Sequence, residues 1–313
     1  MVVIRRIRIY ANFFFLKILH IDMKSIAFLF LIYDIINAEK LWYDFFKNVD
    51  KSKYTIYIHY KKNVTLKYFN DYKLDKCLQT KWGDMSLVWA QNLLLKHALE
   101  NTNNQHFIFI SNSCIPLKNF DHIYNELNPD YSYFNILINN PSTQYIYKPH
   151  IFNDINIKIA SQWSILNKKH SNILLENKDL FNCFKHRSLI PDEMCYINIL
   201  LKKCSINELK LTYRKNIDNK TKICNILNKT LYANTSVLKN KNYPQILNAG
   251  TTFVNWRSME YKYQSVEKIK NYDLITQNEL QYLLNSNCLF ARKFTLKCIP
   301  YLNKQFYIHK ISN

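Results

Sequence analysis

The chain has 313 residues, of which 48% are hydrophobic, so it can fill the core of one large α/β domain or of two small ones. Its two glycines exclude collagen-like and glycine-rich disordered proteins, and also phosphate-binding loops built from several glycines. The net charge of +20 comes from scattered lysines rather than from one basic block, which favours an acidic diphosphate or an anionic glycan over nucleic acid as the partner.

The amino terminus is a poor membrane anchor. Its apolar stretch at 13–19 is interrupted by Lys17 and followed by His20, whereas a membrane span needs about 20 mostly apolar residues. We expect residues 1–22 to be an extension or a misassigned start, and residues 23–313 to form the folded domain. Membrane association stays open.

The first half of the sequence alternates between patterns of buried strands and of helices. Continuous or alternating apolar runs predict strands at 25–33, 54–60 and 106–110. Apolar residues at helical spacing predict helices at 38–48 and 85–99, the second of them capped by Asp84. This alternation predicts an α/β fold with a doubly wound, mostly parallel central sheet.

The second half of the sequence is less regular. We predict strands at 162–166 and 251–256, and a helix that begins at Pro191. The segment 205–248 is rich in Asn and Lys with weak periodicity, and we interpret it as loops and short helices. Because no repeat and no Pro- or Ser-rich linker divides the chain, a single domain is the simplest account.

Polar residues follow three of the predicted strands. They are His59, the stretch Ser111–Cys114, and the stretch Asn255–Ser258. In an open α/β sheet, ligands bind beyond the carboxyl ends of the strands. Each site taken alone is also compatible with an ordinary strand-end loop, and His59 with a packed histidine.

An acidic pair, Asp192–Glu193, stands in the first turn of the helix that begins at Pro191. Acids at this position cap helices and offset the macrodipole. If Glu193 is a general base, the charge of Asp192 raises its pKa while the helix amino terminus lowers it. The sequence leaves open which effect dominates.

The sequence contains no D-x-D triplet, the motif with which many glycosyltransferases hold a divalent metal against a donor diphosphate. Without a metal, cationic side chains must stabilise the charge that grows on a leaving diphosphate. The candidates are Arg257, Arg292 and Lys293. We therefore expect no metal cofactor.

Several motifs, in order, resemble the core-2/I-branching β-1,6-N-acetylglucosaminyltransferase family, including its plant-type branch and the related protein xylosyltransferases. The stretches that carry the resemblance are IAFLFL (26–31), YTIYIHY (54–60), WGDMSLVWAQNLLLKHAL (82–99), FIFISNSCIPLKNF (107–120), SQW (161–163), PDE (191–193), TFVNW (252–256) and LFARKF (289–294). The resemblance implies a GT-A-like fold and an inverting, metal-independent reaction. It also implies a glycan or glycoprotein acceptor and a Golgi membrane location.

The resemblance also implies roles for single residues. Glu193 matches the catalytic base, and Lys293 matches the residue that pairs with the donor diphosphate, with Arg292 beside it. A donor-side role is implied for Arg257 and His59. The remaining two candidates, Ser113 and Trp163, lie in stretches that face the acceptor.

Three departures from the family pattern bear on specificity. Tyr60, Lys61 and Lys62 follow His59 where an acidic residue is common, Asn255 replaces the aspartate of an Asp-Trp pair, and Met194-Cys195 replaces His-Tyr. We expect UDP-N-acetylglucosamine as the first choice of donor and UDP-xylose as the second. A non-catalytic carbohydrate- or nucleotide-binding protein that kept the fold is the alternative.

Overall fold

The computed structural model describes residues 24–139, 150–185, 190–213, 251–254, 256–261, 264–269 and 271–311. The expected extension at 1–22 and most of the segment 205–248 lie outside the described residues.

The described helices alternate with strands through the first half of the chain. The helices are α1 (Glu39–Phe46), α2 (Met85–Leu99), α3 (Phe120–Glu126), α4 (Lys168–Glu176), α5 (Lys178–Phe181), α6 (Pro191–Lys203), α7 (Gln277–Leu284) and α8 (Ile299–Ile311). Within the described ranges, no helix has both the length and the apolar composition needed to cross a bilayer.

The described strands form a large sheet and two small ones. The strands are β1 (Ser25–Ile32), β2 (Tyr54–Tyr60), β3 (Asn104–Ser111), β4 (Ile115–Pro116), β5 (Ser132–Asn139), β6 (Lys158–Ala160), β7 (Ile165–Asn167), β8 (Leu209–Tyr213), β9 (Thr252–Val254), β10 (Trp256–Tyr261), β11 (Gln264–Ile269) and β12 (Phe290–Arg292). The large sheet has the order β2-β1-β3-β7-β5-β6, and β8 pairs with β5. A three-stranded sheet has the order β4-β12-β9, and β10 pairs with β11.

The large sheet is mixed but mostly parallel. The parallel ladders β1–β2, β1–β3 and β5–β8 contain seven, seven and five residue pairs. The antiparallel ladders β3–β7, β5–β6 and β5–β7 contain three, three and one. The predicted α/β class is therefore confirmed, and each of these antiparallel ladders includes β6 or β7, which belong to the less regular second half of the chain.

The first half of the fold follows the local pattern closely. All eight residues of β1 are buried, because β1 lies between two strands and both of its faces are covered. The helix predicted at 85–99 is α2, and the Asp84 carboxylate accepts a hydrogen bond of 2.8 Å from the backbone N–H of Ser86. The predicted strands and helices of this half are confirmed.

Side chains of β1 alternate between two apolar layers, one on each face of the sheet. Phe28 and Phe30 pack against aromatic residues that include Trp42, Phe46 and Phe120. Ala27 and Leu29 belong to the layer that holds Val88, Leu94, Trp163, Met194 and Leu200. Helices therefore cover both faces of the sheet, as a doubly wound fold requires.

Two predictions for the second half need correction. The strand predicted at 162–166 is β7, which begins later, at Ile165. The segment predicted as loops from 205 onward contains β8, a strand of the central sheet, after a short 3-10 turn. The partner of β8 is β5, which lies about 75 residues earlier in the chain. The residue pattern of β8 alone therefore gives little indication that this segment is a strand.

A buried polar network fixes the start of β8 against the start of β5. The Ser132 hydroxyl and the His170 Nδ1 lie 2.7 Å apart, and the His170 Nε2 lies 3.3 Å from the Glu208 carboxylate. Ser132 and His170 are fully buried. These contacts satisfy polar groups inside the sheet edge and define which residues of β5 and β8 pair.

Candidate active site

The first turn of α6 places Asp192 and Glu193 at the margin of the sheet. Pro191 occupies the first helical position, where its missing N–H costs nothing. The Tyr196 hydroxyl donates to the Asn92 side chain at 2.7 Å, which fastens α6 to α2. Further along α6, the side chain of Asn198 exchanges two 2.8 Å hydrogen bonds with the backbone of Lys158. The two carboxyl groups thus stand on a rigid support.

Burial dominates the electrostatics of this acidic pair. Desolvation raises the pKa of Asp192 to about 6. Desolvation, followed by the charge of Asp192, raises the pKa of Glu193 to about 7, although the positive charge of Arg292 opposes the shift. Burial, which the sequence pattern did not reveal, is therefore the largest effect, and the pKa of Glu193 is raised.

The short strand β12 brings Arg292 and Lys293 to the same place. It pairs with β4 on one side and with β9 on the other, with Arg292 opposite Val254. Just after it, the backbone N–H of Phe294 donates to the Ser113 carbonyl at 2.9 Å. The Phe294 carbonyl accepts from the side chain of Asn37 at 2.8 Å. The hydrogen bonds of the Phe294 backbone therefore hold in place the segment that carries Arg292 and Lys293.

Both cations occupy partly buried positions. Burial lowers the pKa of Arg292, whereas the Cys114 thiol and the Glu193 carboxyl group act in the opposite direction. Burial also lowers the pKa of Lys293, and the charge of Arg292 lowers it further. Because the charges of Glu193 and Arg292 each influence the pKa of the other group, α6 and β12 place this carboxyl group and this guanidinium near each other.

Trp163 and Ser113 belong to this cluster, and the side chains of both are buried in it. The Trp163 ring lies against the Arg292 guanidinium, with 4.5 Å from the guanidinium carbon to the ring centroid, and its side chain is 6% exposed. Ser113 is 3% exposed, and its hydroxyl lies 3.2 Å from that of Ser111. Both side chains thus make supporting contacts within the cluster, and the acceptor-side role implied for their stretches stays a prediction.

His59 lies one residue before the end of β2 and is a packed histidine, one of the possibilities that the sequence left open. Its side chain is 0% exposed, and its Nε2 accepts a hydrogen bond of 2.8 Å from the backbone N–H of Leu78. Desolvation lowers the pKa of His59 to about 4, so the imidazole is neutral at pH 7. His59 therefore holds the segment before α2, and the donor-side role implied by the family resemblance stays a prediction.

Arg257 lies on β10, with its backbone opposite Lys268. Its side chain and the neighbouring Asn255 are outside the described part of the structure. The predicted contact of Arg257 with a diphosphate therefore stays a prediction.

Sequence reasoning missed Asn37 as part of this site, and it included Cys114 only as the end of the stretch Ser111–Cys114. Asn37 donates from its backbone N–H to the Asn112 carbonyl and from its side chain to Phe294, so it ties the loop after β3 to β12. Cys114 is fully buried, lies 3.0 Å from the Ser111 hydroxyl and interacts electrostatically with Arg292. Asn37 follows β1, and the same strand-end rule that selected Ser113 selects it as well.

Among the residues that the structure describes, no group of three or more His, Cys, Asp and Glu side chains is arranged to hold a metal ion. The polar cluster instead consists of two carboxyl groups with raised pKa values next to two cations. Such a cluster can accept a proton and stabilise an anion at neighbouring positions.

Comparisons with known proteins identify the family of the chain. The family model described as Core-2/I-Branching enzyme matches residues 26–283, which is most of the chain. The protein named Glycosyltransferase BC10 from Oryza sativa subsp. japonica is 27% identical over 180 residues. That match covers 51% of this chain and 42% of the rice protein, so the chain matches less than half of that relative's length. With its α/β fold and this family match, the chain belongs to the Core-2/I-branching enzyme family.

Proposed function

We propose that this chain is an inverting, metal-independent glycosyltransferase that moves a sugar from a UDP-sugar to a hydroxyl group of a glycan or glycoprotein. The first choice of donor is UDP-N-acetylglucosamine with transfer in β-1,6 linkage, and UDP-xylose is the second. The observation that carries the proposal is the meeting of Glu193, with its raised pKa, and Arg292 at the edge of the sheet, next to Lys293.

In this proposal Glu193 is the general base. It accepts the proton of the acceptor hydroxyl while that oxygen attacks the anomeric carbon and the bond to the diphosphate breaks. A pKa of about 7 suits this role, because a base is most effective when its pKa lies near the working pH. Attack from the face opposite the diphosphate inverts the configuration at the anomeric carbon.

Arg292 and Lys293 stabilise the departing UDP in the same proposal. Negative charge grows on the diphosphate as the glycosidic bond breaks, and fixed cations in a partly buried site lower the energy of that state. The match to a relative named as a glycosyltransferase supports sugar transfer in general terms. The proposed donor sugar, acceptor and linkage rest on the family resemblance.

The activity should depend on pH through Glu193. The base must be ionised, so kcat/KM should fall as the pH drops below about 7, with a slope of one on a logarithmic plot. A carboxylate with an ordinary pKa of 4.5 would keep the enzyme fully active down to about pH 5. Initial rates measured between pH 5 and pH 9 distinguish a base with a raised pKa from a base with an ordinary pKa. A rate that stays flat from pH 5 to pH 7 would contradict the assignment of Glu193 as the base.

Chelation should leave the activity unchanged. Because Arg292 and Lys293 provide the positive charge for the diphosphate, an excess of EDTA should alter the rate by less than about twofold. The assay compares untreated enzyme with enzyme dialysed against EDTA and then supplied with Mn²⁺ or Mg²⁺. If dialysis abolishes the activity and Mn²⁺ restores it, the metal-independent mechanism is wrong.

A further inference from the structure

The contact between Trp163 and Arg292 joins two parts of the site that are far apart in sequence. Trp163 lies in the connection between β6 and β7, and Arg292 ends β12. The distance of 4.5 Å from the guanidinium carbon to the ring centroid is well within the range of a cation–π interaction. Because Trp163 is 6% exposed, water weakens this interaction little.

The indole ring is itself held in place. The backbone N–H of Trp163 donates to the Ser161 hydroxyl at 3.4 Å. The preceding residue, Gln162, accepts a hydrogen bond of 3.2 Å at its carbonyl from the side chain of Gln91 on α2. The ring is part of the apolar layer that also contains residues of α2 and α6. It therefore presents a fixed surface to Arg292.

Among the residues that the structure describes, the buried Nε of Arg292 has no hydrogen-bond acceptor. Guanidinium groups are usually oriented by hydrogen bonds from their planar array of N–H groups. The contact with the Trp163 ring is therefore a restraint on the Arg292 guanidinium that does not depend on a hydrogen bond from Nε.

We propose that Trp163 is a positioning residue, whose indole face holds the Arg292 guanidinium where its charge reaches both Glu193 and the donor diphosphate. This inference rests on the proposed function for its effect on turnover, but its effect on Glu193 can be measured without substrate. Trp163 acts only through Arg292, and its ring has almost no surface for a ligand.

The charged groups around Arg292 determine whether the pKa of Glu193 rises or falls when the guanidinium moves. The Arg292 charge lowers the pKa of Glu193, which burial and the charge of Asp192 raise. On the other side, the Arg292 charge lowers the pKa of Lys293, and the Cys114 thiol faces the guanidinium from the loop after β3. If the guanidinium turns away, Glu193 loses the positive charge that lowers its pKa, so its pKa should rise.

Two substitutions separate cation–π positioning from simple packing. Trp163→Phe keeps an aromatic face, and Trp163→Leu fills a similar apolar volume without one. Both remove part of a buried side chain, so both should lower the thermal stability to a similar extent. Trp163→Leu should reduce kcat by about 10- to 30-fold, in line with a desolvated cation–π contact, whereas Trp163→Phe should lose no more than about threefold. Since the charge on the diphosphate develops in the transition state, kcat should change more than the KM for the donor.

The deciding experiment measures the pKa of Glu193 in both variants, by NMR of carboxyl-labelled glutamate in the free protein and by the acid limb of kcat/KM. Both measurements should give a higher pKa in Trp163→Leu than in Trp163→Phe. Equal pKa values and equal kcat in the two variants would overturn the positioning role. Wild-type protein without transfer activity would instead refute the proposed function, while the NMR comparison would still decide whether Trp163 positions Arg292.

Discussion

Replacement of Glu193 by glutamine should lower kcat by about 10²–10⁴-fold while the affinity for UDP changes little. The amide has nearly the same shape as the carboxyl group but cannot accept the acceptor's proton at neutral pH. UDP contacts the cations of β12 in our account, so its binding does not require the base. The measurement combines UDP release in the presence of an acceptor with UDP binding by calorimetry.

The matched control is Glu126→Gln, because Glu126 is exposed at the end of α3 and its replacement should leave kcat unchanged.

The pH dependence of stability can exclude unfolding as the cause of a lower kcat in Glu193→Gln. The pKa of Glu193 is raised from 4.5 to about 7 in the folded protein, so ionisation opposes folding above pH 4.5 and does so fully above about pH 7. Glu193→Gln should therefore be at least as stable as wild type at pH 8. A variant that keeps wild-type turnover would remove Glu193 from the mechanism.

Replacement of Lys293 by alanine should lower kcat by about 10²–10³-fold, the range found when one preorganised group that stabilises developing negative charge is removed. Lys293 is partly buried next to Arg292, so its ammonium group acts in a medium that screens it less than bulk water does. The effect should be larger on kcat than on UDP affinity, because the diphosphate gains charge as it leaves. Single-turnover rates at saturating donor measure this step.

Lys297→Ala is the control for Lys293→Ala, since Lys297 lies four residues further along the same segment and is exposed. It removes the same charge from the protein without touching the proposed site, so kcat should stay within about twofold of wild type. If Lys293→Ala and Lys297→Ala have the same small effect on kcat, then turnover depends on the overall positive charge of the protein and not on the charge of Lys293. Lys293 would then have no part in stabilising the leaving group.

The first half of the fold could be predicted from the sequence because its signals are local. The strand at 25–33 is apolar along its whole length, and the helix at 85–99 has both a cap at Asp84 and a regular apolar spacing. In contrast, β8 is a short, partly polar strand whose place in the sheet depends on β5 and on the contacts of His170. Because β5 and β8 are far apart in sequence, the residue pattern of either segment alone gives little indication that they pair.

The candidate site could be predicted in outline but not in its internal contacts. Family resemblance selected Glu193 and Lys293, whose positions follow from the start of a helix and the end of a strand. The sequence left the pKa of Glu193 open, because burial depends on how α6 packs against the sheet. The sequence left open whether His59 is packed in the interior, and it did not indicate that Trp163 is buried, whereas the structure buries both side chains. Which way a side chain points at a strand end is decided by tertiary packing.

The central claim is tested most directly by UDP release from a panel of UDP-sugars in EDTA, with and without mixed glycan acceptors. Our account predicts release from one donor, with UDP-N-acetylglucosamine as the first choice, which an acceptor stimulates and Glu193→Gln abolishes. UDP binding without release from any donor would instead indicate a binding protein that has lost catalysis. Absence of both release and UDP binding would contradict the account altogether.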